Sequence, residues 1–142
     1  MSEIAYAVID SAPTDAIVSL YQAGGWWHED PADRAIIPQM IRGSFCFLVA
    51  RDPQGRIVGM GRVISDGVSD AYIQDVVVLE AYRGRGVGRE IVRRLTERCL
   101  AARIGWIGLV AEPGTRAFYE PLGFRALAGY EPMLHGGETD GR

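Results

Sequence analysis

A glycine-rich loop between an apolar segment and an amphipathic segment constrains the fold of this 142-residue chain more than any other feature. The apolar segment is Val76-Val77-Val78-Leu79, and the loop is Arg83-Gly84-Arg85-Gly86-Val87-Gly88. After the loop, apolar residues recur every four positions from 87 to 99, which is typical of a helix with one buried face. The three pieces together predict a buried strand, a glycine turn and a helix.

The loop has the chemistry of an anion-binding turn. Glycine lets the backbone approach a ligand closely and adopt positive φ. The N–H groups at the start of a helix point outward, and the helix dipole favours negative charge there. Arg83 and Arg85 add cations for charge-assisted contacts. A pyrophosphate is therefore the favoured ligand, with a glycine-rich turn that binds nothing as the simpler alternative.

Three classes of anion-binding loop compete for this segment. A P-loop requires Lys and then Ser or Thr after its last glycine, whereas Arg89-Glu90 follows Gly88. A dinucleotide fingerprint requires a third glycine where Arg89 stands, and it usually follows the first strand rather than the fourth. The third pattern, Arg-x-x-Gly-x-Gly, is satisfied by Arg83, Gly86 and Gly88.

The rest of the chain predicts a mixed α/β domain with helices on both faces of its sheet. Pro38 predicts that the second helix is short or kinked, and Met133 is expected in the core. One domain is expected over 1–134, followed by a flexible, polar, glycine-rich tail over 135–142. The predicted strands cover about 4–8, 45–50, 57–64, 72–79, 106–111 and 124–134, and the predicted helices about 14–22, 32–42, 87–100 and 114–122.

Composition excludes several functional classes. The net charge of −3 is a poor match for nucleic acid, and no apolar run reaches the roughly 18 residues of a membrane helix. Two histidines and no Cys-x-x-Cys argue against a zinc site, so no metal is expected. Cys46 and Cys99 lie in apolar patterns, as in a reduced cytoplasmic protein. The first ten residues lack the pattern of a secretory signal.

Three motifs, in this order and spacing, resemble the GNAT acetyltransferase superfamily. They are Asp75-Val76-Val77-Val78-Leu79, Tyr82-Arg83-Gly84-Arg85-Gly86-Val87-Gly88 and Phe118-Tyr119-Glu120-Pro121-Leu122-Gly123-Phe124. The resemblance covers nearly the whole chain. It implies acetyl-CoA as cosubstrate and a mixed, mostly antiparallel sheet of six to seven strands with helices on both faces and a splayed strand pair. Gly59-Met60-Gly61-Arg62 with Ser65-Asp66 is similar to the serotonin N-acetyltransferase-like branch, and the valine motif is also similar to glucosamine-6-phosphate N-acetyltransferases.

The resemblance also implies where the coenzyme binds. The backbone of the valine strand would pair with the thioester end and the pantetheine arm, and the loop amides would hold the pyrophosphate. Two departures weaken the match: Glu80 stands where many members have proline, and Glu112-Pro113-Gly114-Thr115 stands where an asparagine is often found. The implied coenzyme-binding residues are Val76, Val77, Val78, Arg83, Gly84, Arg85, Gly86, Val87 and Gly88.

Direct acetyl transfer requires a group that deprotonates the amine and a group that protonates the leaving thiolate. The resemblance places Tyr119 as the acid, and a core tyrosine is the alternative. Asp75 is the candidate base, directly or through water, and the alternative is an aspartate that caps a turn or pairs with an arginine. Glu112 is a second choice. The Val76 N–H is the candidate oxyanion donor.

The acceptor site is expected near the loop between the first two helices. Trp26 and Trp27 would stack on an aromatic or sugar-like amine, and packing in the core or at a dimer interface is the alternative. Tyr72 and Tyr130 are further candidates for the pocket lining. The expected substrate is a small primary amine such as an arylalkylamine or amino sugar. The oligomeric state is left open, although a homodimer is common in similar proteins. The alternatives are a protein-lysine or N-terminal acetyltransferase, and a non-catalytic acyl-CoA-binding regulator.

Overall fold

Five strands follow one another across a single sheet in the computed structural model, which describes residues 3–136. Each of the first three strands pairs antiparallel with the next, and the fifth lies parallel to the fourth. The strands are β1 (Ala5–Val8), β2 (Cys46–Arg51), β3 (Ile57–Ser65), β4 (Asp70–Val78) and β5 (Trp106–Gly108). The helices are α1 (Thr14–Ala23), α2 (Pro31–Gly43), α3 (Val87–Ala101) and α4 (Arg116–Tyr119), with short 3-10 turns at Glu80–Tyr82 and Glu120–Leu122.

The chain divides into two compact units, Met1–Leu109 and Val110–Arg142. The sheet and the first three helices belong to the first unit, and α4 belongs to the second. The single domain predicted over 1–134 stays a prediction. Of the predicted tail, residues 137–142 lie outside the described residues.

Helices cover both faces of the sheet because successive strand residues point to opposite sides. Met60 on β3 is buried in a core cluster with Ile17 and Leu20 of α1. Its neighbour Gly61 faces α3, since a Cβ added there would lie 2.8 Å from the side chain of Ile91. The mixed, mostly antiparallel sheet with helices on both faces confirms the predicted fold class.

Helix α2 is thirteen residues long, so Pro38 does not shorten it, and the alternative of a kink stays a prediction. Asp30 caps its start, with Oδ1 accepting a hydrogen bond of 2.9 Å from the Ala32 N–H. Proline removes one backbone donor in the helix interior. Ile37 and Ile41 are almost fully buried, and their burial in the core outweighs that loss.

The strand count is lower than predicted because the chain from Phe124 to Gly136 forms turns rather than a strand. Gly129 has a φ of 82°, and Pro132 has no N–H for a ladder hydrogen bond. Met133 is 92% exposed, so its expected place in the core is also wrong. Strand β5 is three residues long rather than six, which leaves five strands among residues 3–136.

Candidate active site

A β-bulge interrupts the pairing of β3 with β4. Met60 lies opposite Val77 and Arg62 opposite Gln74, so Asp75 and Val76 together face the single residue between them on β3. Asp75 has a φ of 59°, the left-handed region that few residues other than glycine adopt, although aspartate tolerates it better than most. The extra residue redirects the side chains of the bulge, and bulges are frequent beside active sites.

The carboxylate of Asp75 is buried and bound from two other elements. Its Oδ2 accepts a hydrogen bond of 2.7 Å from the hydroxyl of Tyr21 on α1. The same oxygen lies 2.7 Å from Nε of Arg62 on β3, and the side chains of Arg62 and Asp75 are 15% and 1% exposed. A buried carboxylate requires such partners. Pairing with an arginine was one alternative that the sequence left open, and the role of Asp75 as a base stays a prediction.

Strand β4 has an open edge beyond its short pairing with β5. That pairing covers Asp70–Tyr72 and Trp106–Gly108, and no other strand among residues 3–136 pairs with this edge. The end of this pairing at Tyr72 and Gly108 agrees with the predicted splayed pair. The Leu79 N–H donates to Val58 on β3 at 2.8 Å, and backbone groups alternate in direction along a strand. The backbone groups of Val78 therefore point to the open edge.

The three valines of the motif occupy structurally different positions on β4. Val77 is buried in the core cluster under α1, so its side chain belongs to the core. Val76 lies in the bulge, and Val78 precedes the turn into the glycine loop. A strand edge with unpaired N–H and C=O groups can accept an extended ligand as an added strand.

The glycine loop has the conformation that only glycine adopts easily. Gly84 and Gly86 have φ values of 78° and 81°. A Cβ at either position would meet no atom within 4 Å, so the space around them is open. Helix α3 begins directly afterwards at Val87, and no side chain caps it. Because the first amides of a helix have no partner within it, these residues fit a pyrophosphate group.

Two contacts hold the loop to the rest of the unit. The hydroxyl of Tyr82 donates to Oδ2 of Asp52 in the β2–β3 turn at 2.8 Å, and the guanidinium of Arg85 lies 5.3 Å from the centre of the Tyr82 ring. The hydrogen bond from Tyr82 lowers the pKa of Asp52, and the same bond raises the pKa of Tyr82. Sequence reasoning missed Asp52, because its contact with Tyr82 depends on the tertiary structure.

Arg83 is exposed, and its guanidinium binds two backbone carbonyls. Its Nε donates to the Val78 carbonyl at 2.8 Å, and its terminal nitrogen reaches the Ala23 carbonyl at 3.5 Å. The guanidinium thus joins the end of β4 to the end of α1. The loop residues predicted to bind the coenzyme come together in one turn, and among them Arg83 has a structural contact that the sequence did not indicate.

Tyr119 lies in the second unit, where α4 places it between two aromatic rings. Its ring meets Phe118 and Phe124 edge to face, with centroid distances of 4.9 Å and 5.9 Å. Burial raises the pKa of Tyr119, and the negative charge of Glu112 raises it further. A raised pKa keeps the hydroxyl protonated at neutral pH, as an acid requires.

The two predicted acceptor tryptophans have different surroundings. The Trp26 ring meets Tyr21 edge to face at 6.1 Å, and a Cβ on Gly24 would lie 2.7 Å from that ring. Trp27 donates from Nε1 to Glu29 at 2.8 Å and has the guanidinium of Arg34 over its ring. Both pack partly against the core. Trp26 is the one that contacts the Tyr21–Asp75 pair.

Tyr72 belongs to an exposed aromatic surface at the start of β4. Its ring lies 5.2 Å from that of Trp106, and the two residues are 45% and 42% exposed. Ile64 lies directly opposite Tyr72 on β3, two residues beyond Arg62. Sequence reasoning missed Trp106, because a tryptophan in a strand is usually a packing residue. Tyr130, in the second unit, is exposed.

Residues 14–124 match the sequence model of the acetyltransferase (GNAT) family. The chain belongs to this family. The three motifs on which the predicted resemblance rested all lie within this range, and the family assignment is confirmed.

Curated relatives of this GNAT chain match about half of its residues. It is 39% identical over 75 residues to serotonin N-acetyltransferase 2, chloroplastic, of Oryza sativa subsp. japonica, covering 53% of this chain and 38% of that protein. It is 36% identical over 74 residues to the uncharacterized N-acetyltransferase ycf52 of Pyropia yezoensis, covering 52% and 42%. It is 40% identical over 73 residues to histone acetyltransferase TAP1 of Glycine max, covering 51% and 32%. The chain thus spans less than half the length of these relatives.

Solved structures match the GNAT chain over nearly its whole length. A GNAT-family acetyltransferase of Streptococcus pneumoniae TIGR4 superposes with a TM-score of 0.77 at 23% identity, covering 97% of this chain and 99% of that one. An acetyltransferase of Trypanosoma brucei superposes with a TM-score of 0.75 at 25% identity, covering 96% and 100%. At these identities the likeness supports the fold.

Two kinds of feature are absent from residues 3–136. No group of three or more His, Cys, Asp or Glu side chains in that range has an arrangement that could hold a metal ion. None of the helices in that range combines the length and the apolar character needed to cross a membrane.

Proposed function

We propose that this GNAT-family chain transfers an acetyl group directly from acetyl-CoA to a primary amine of a small molecule. The observation that carries the proposal is the open, bulged edge of β4, which leads within a few residues into the positive-φ loop at the start of α3. An extended ligand with a diphosphate at one end matches this arrangement.

The residues for the coenzyme follow from that arrangement. The amides of Gly86, Val87 and Gly88 hold the pyrophosphate at the start of α3. The backbone of Val76 and Val78 pairs with the pantetheine arm along the β4 edge. Arg83 keeps this edge and the loop in register through its bond to the Val78 carbonyl. The coenzyme supplies the thioester carbonyl that the amine attacks.

The proton transfers are assigned to two side chains. Asp75 removes the proton from the amine, directly or through water. Tyr119 donates a proton to the leaving thiolate, and its raised pKa supports that role. The Val76 N–H, at the bulge, stabilises the negative charge that develops on the carbonyl oxygen.

An arylalkylamine is the acceptor class that the surface of the first unit favours. Tyr72 and Trp106 present exposed rings on β4 and β5, and Trp26 contacts the Tyr21–Asp75 pair. Aromatic rings of this kind bind planar apolar groups. The name of the rice relative, serotonin N-acetyltransferase 2, also supports an arylalkylamine acceptor. Another rice relative is named a probable glucosamine 6-phosphate N-acetyltransferase, which keeps an amino sugar as the second candidate.

A thiol-release assay with acetyl-CoA tests the proposal. The acceptors are arylalkylamines, polyamines, amino sugars, amino acids and lysine peptides, each at equal concentration. We expect the highest kcat/KM with an arylalkylamine. A preference for lysine peptides would favour a protein acetyltransferase instead. Tight acetyl-CoA binding without thiol release for any amine would favour a non-catalytic acyl-CoA-binding regulator.

A further inference from the structure

A cavity in the first unit lies between the start of α1 and the turn that joins β2 to β3. Its volume is about 400 Å³, within the range of small-ligand sites. Pro13 and Ala16 line it from α1, and Leu79 lines it from the end of β4. Arg51 and Arg56 line it from the two sides of the turn. The cavity is therefore lined by apolar residues and by two arginines.

The two arginines give this cavity positive charge. Neither Arg51 nor Arg56 makes an ion pair or a side-chain hydrogen bond with any residue of the described range, 3–136. The carboxylate between them in sequence, Asp52, is almost fully buried and accepts hydrogen bonds from Tyr82 and from the backbone N–H groups of Gln54 and Arg56. These three hydrogen bonds use most of the acceptor capacity of the Asp52 carboxylate.

Helix α1 contributes to the same electrostatic field. It begins at Thr14, next to the cavity-lining Pro13, and no side chain caps its N-terminus. The positive end of a helix dipole favours an anion, and an uncapped start leaves backbone N–H groups available. Charge from the helix and from two arginines converges on one cavity with a small apolar wall.

We propose that this cavity binds a phosphomonoester through Arg51 and Arg56. Guanidinium groups bind phosphate through paired hydrogen bonds, and two of them match the charge of a phosphate dianion better than that of a single carboxylate. Ala16 and Leu79 contact the apolar part of the ligand. The phosphate has two sources, the 3′-phosphate of coenzyme A and a separate phosphorylated metabolite.

Calorimetric titration with inorganic phosphate tests the site without any coenzyme. The proteins are the wild type, the double variant Arg51→Gln/Arg56→Gln and, as matched control, Arg42→Gln, which changes an exposed arginine at the end of α2. We expect phosphate affinity to fall at least about tenfold in the double variant and to stay unchanged in the control. The glycine loop is the same in all three proteins, so its own phosphate binding cancels in the comparison.

Coenzyme A and 3′-dephospho-coenzyme A, titrated into the same proteins, distinguish the two sources. If the coenzyme supplies the phosphate, coenzyme A binds the wild type about tenfold more tightly than its dephospho form, and the double variant loses that preference. If a metabolite supplies it, both coenzymes bind alike, and phosphate still binds protein saturated with coenzyme A. Equal phosphate affinity of the folded wild type and double variant, together with an unchanged coenzyme preference, would overturn the proposal.

Discussion

Arg62 on β3 places its Nε 2.7 Å from Oδ2 of Asp75 on β4, at the point where a bulge interrupts the pairing of the two strands. The hydroxyl of Tyr21 reaches the same oxygen from α1. One carboxylate thus joins two strands and a helix while its backbone has positive φ. The pair links the stability of the fold to the geometry of the strand edge that is proposed to hold the thioester.

Replacing Arg62 tests this link. In Arg62→Met we expect the free energy of unfolding to fall by about 3 kcal/mol, because a buried carboxylate loses its cation. Urea denaturation at neutral pH measures the change. In the double variant Arg62→Met/Asp75→Asn the buried charge is also removed, so we expect recovery of about 1 kcal/mol or more. A double variant as unstable as the sum of its two single variants would show that the pair is not coupled.

Asp75→Asn separates the charge of this side chain from its shape. Asparagine tolerates positive φ and keeps an oxygen that can accept from Tyr21 and Arg62. If Asp75 is the base, kcat falls by about 100-fold or more while the protein stays folded. Steady-state kinetics and circular dichroism on the same preparation measure both quantities. A kcat within about threefold of the wild type would assign the carboxylate to structure alone.

The glycine loop makes a conformational prediction. Gly86→Ala places a Cβ on a residue with a φ of 81°, where no neighbouring atom lies within 4 Å. We expect a loss of about 1–2 kcal/mol from backbone strain alone, together with weaker binding of acetyl-CoA. Thermal unfolding and isothermal titration measure the two effects.

Gly105→Ala is the matched control for that variant. Gly105 also has nothing within 4 Å of an added Cβ, but it has no positive φ. We expect it to bind acetyl-CoA as the wild type does. Equal affinity of the Gly86→Ala and Gly105→Ala proteins would remove the loop from the coenzyme site.

The hydroxyl of Tyr119 is expected to affect kcat and the dependence of kcat on pH. Burial and the charge of Glu112 raise its pKa above the usual 10, so the hydroxyl stays protonated at neutral and mildly alkaline pH. As the acid form is lost only above that pKa, we expect kcat of the wild type not to fall through loss of this proton until the pH exceeds about 10. Tyr119→Phe lowers kcat far more than it weakens binding of the coenzyme.

Tyr6→Phe provides the comparison for Tyr119. Tyr6 lies on β1, at the opposite end of the sheet from β4 and β5, so removal of its hydroxyl is expected to leave kcat unchanged. The pH dependence of kcat for both variants, measured by thiol release, checks the assignment. Equal turnover in Tyr119→Phe and the wild type would exclude Tyr119 from the proton transfer.

Sequence patterns predicted the parts of this fold that are determined by residues close together in the chain. The glycine loop and the helix after it were visible because positive φ and a repeat of four leave direct marks in sequence. The bulge at Asp75 was not visible, because it depends on how β4 aligns with β3. Likewise, the apolar residues between 124 and 134 predicted a strand, whereas Gly129 and Pro132 stop it.

The candidate site likewise contains residues that the motifs predicted and contacts that they did not. Asp75 and the glycine loop were named from motifs, but the residues that hold them come from distant segments. Asp75 binds Arg62 and Tyr21, and Tyr82, beside the loop, binds Asp52. Sequence reasoning could state that a buried aspartate needs a partner, yet it could not select one among fifteen Lys and Arg residues. The choice is made by strand register and by the position of α1.

The contact between Tyr82 and Asp52 joins the glycine loop to the β2–β3 turn, so its loss is expected to affect both stability and coenzyme binding. Tyr82→Phe removes the 2.8 Å hydrogen bond, and we expect a lower melting temperature at neutral pH and a severalfold weaker affinity for acetyl-CoA.

The hydrogen bond from Tyr82 lowers the pKa of Asp52 below its ordinary 3.8. The stabilising effect of the bond is therefore present above pH 3.8 and is lost as the pH falls through the lowered pKa. The difference in melting temperature between the two proteins should therefore shrink toward zero in strong acid. A pH series of thermal melts measures it, with Tyr130→Phe as the control, and a difference that stays constant from neutral pH to strong acid would show that the carboxylate of Asp52 is not the partner that matters.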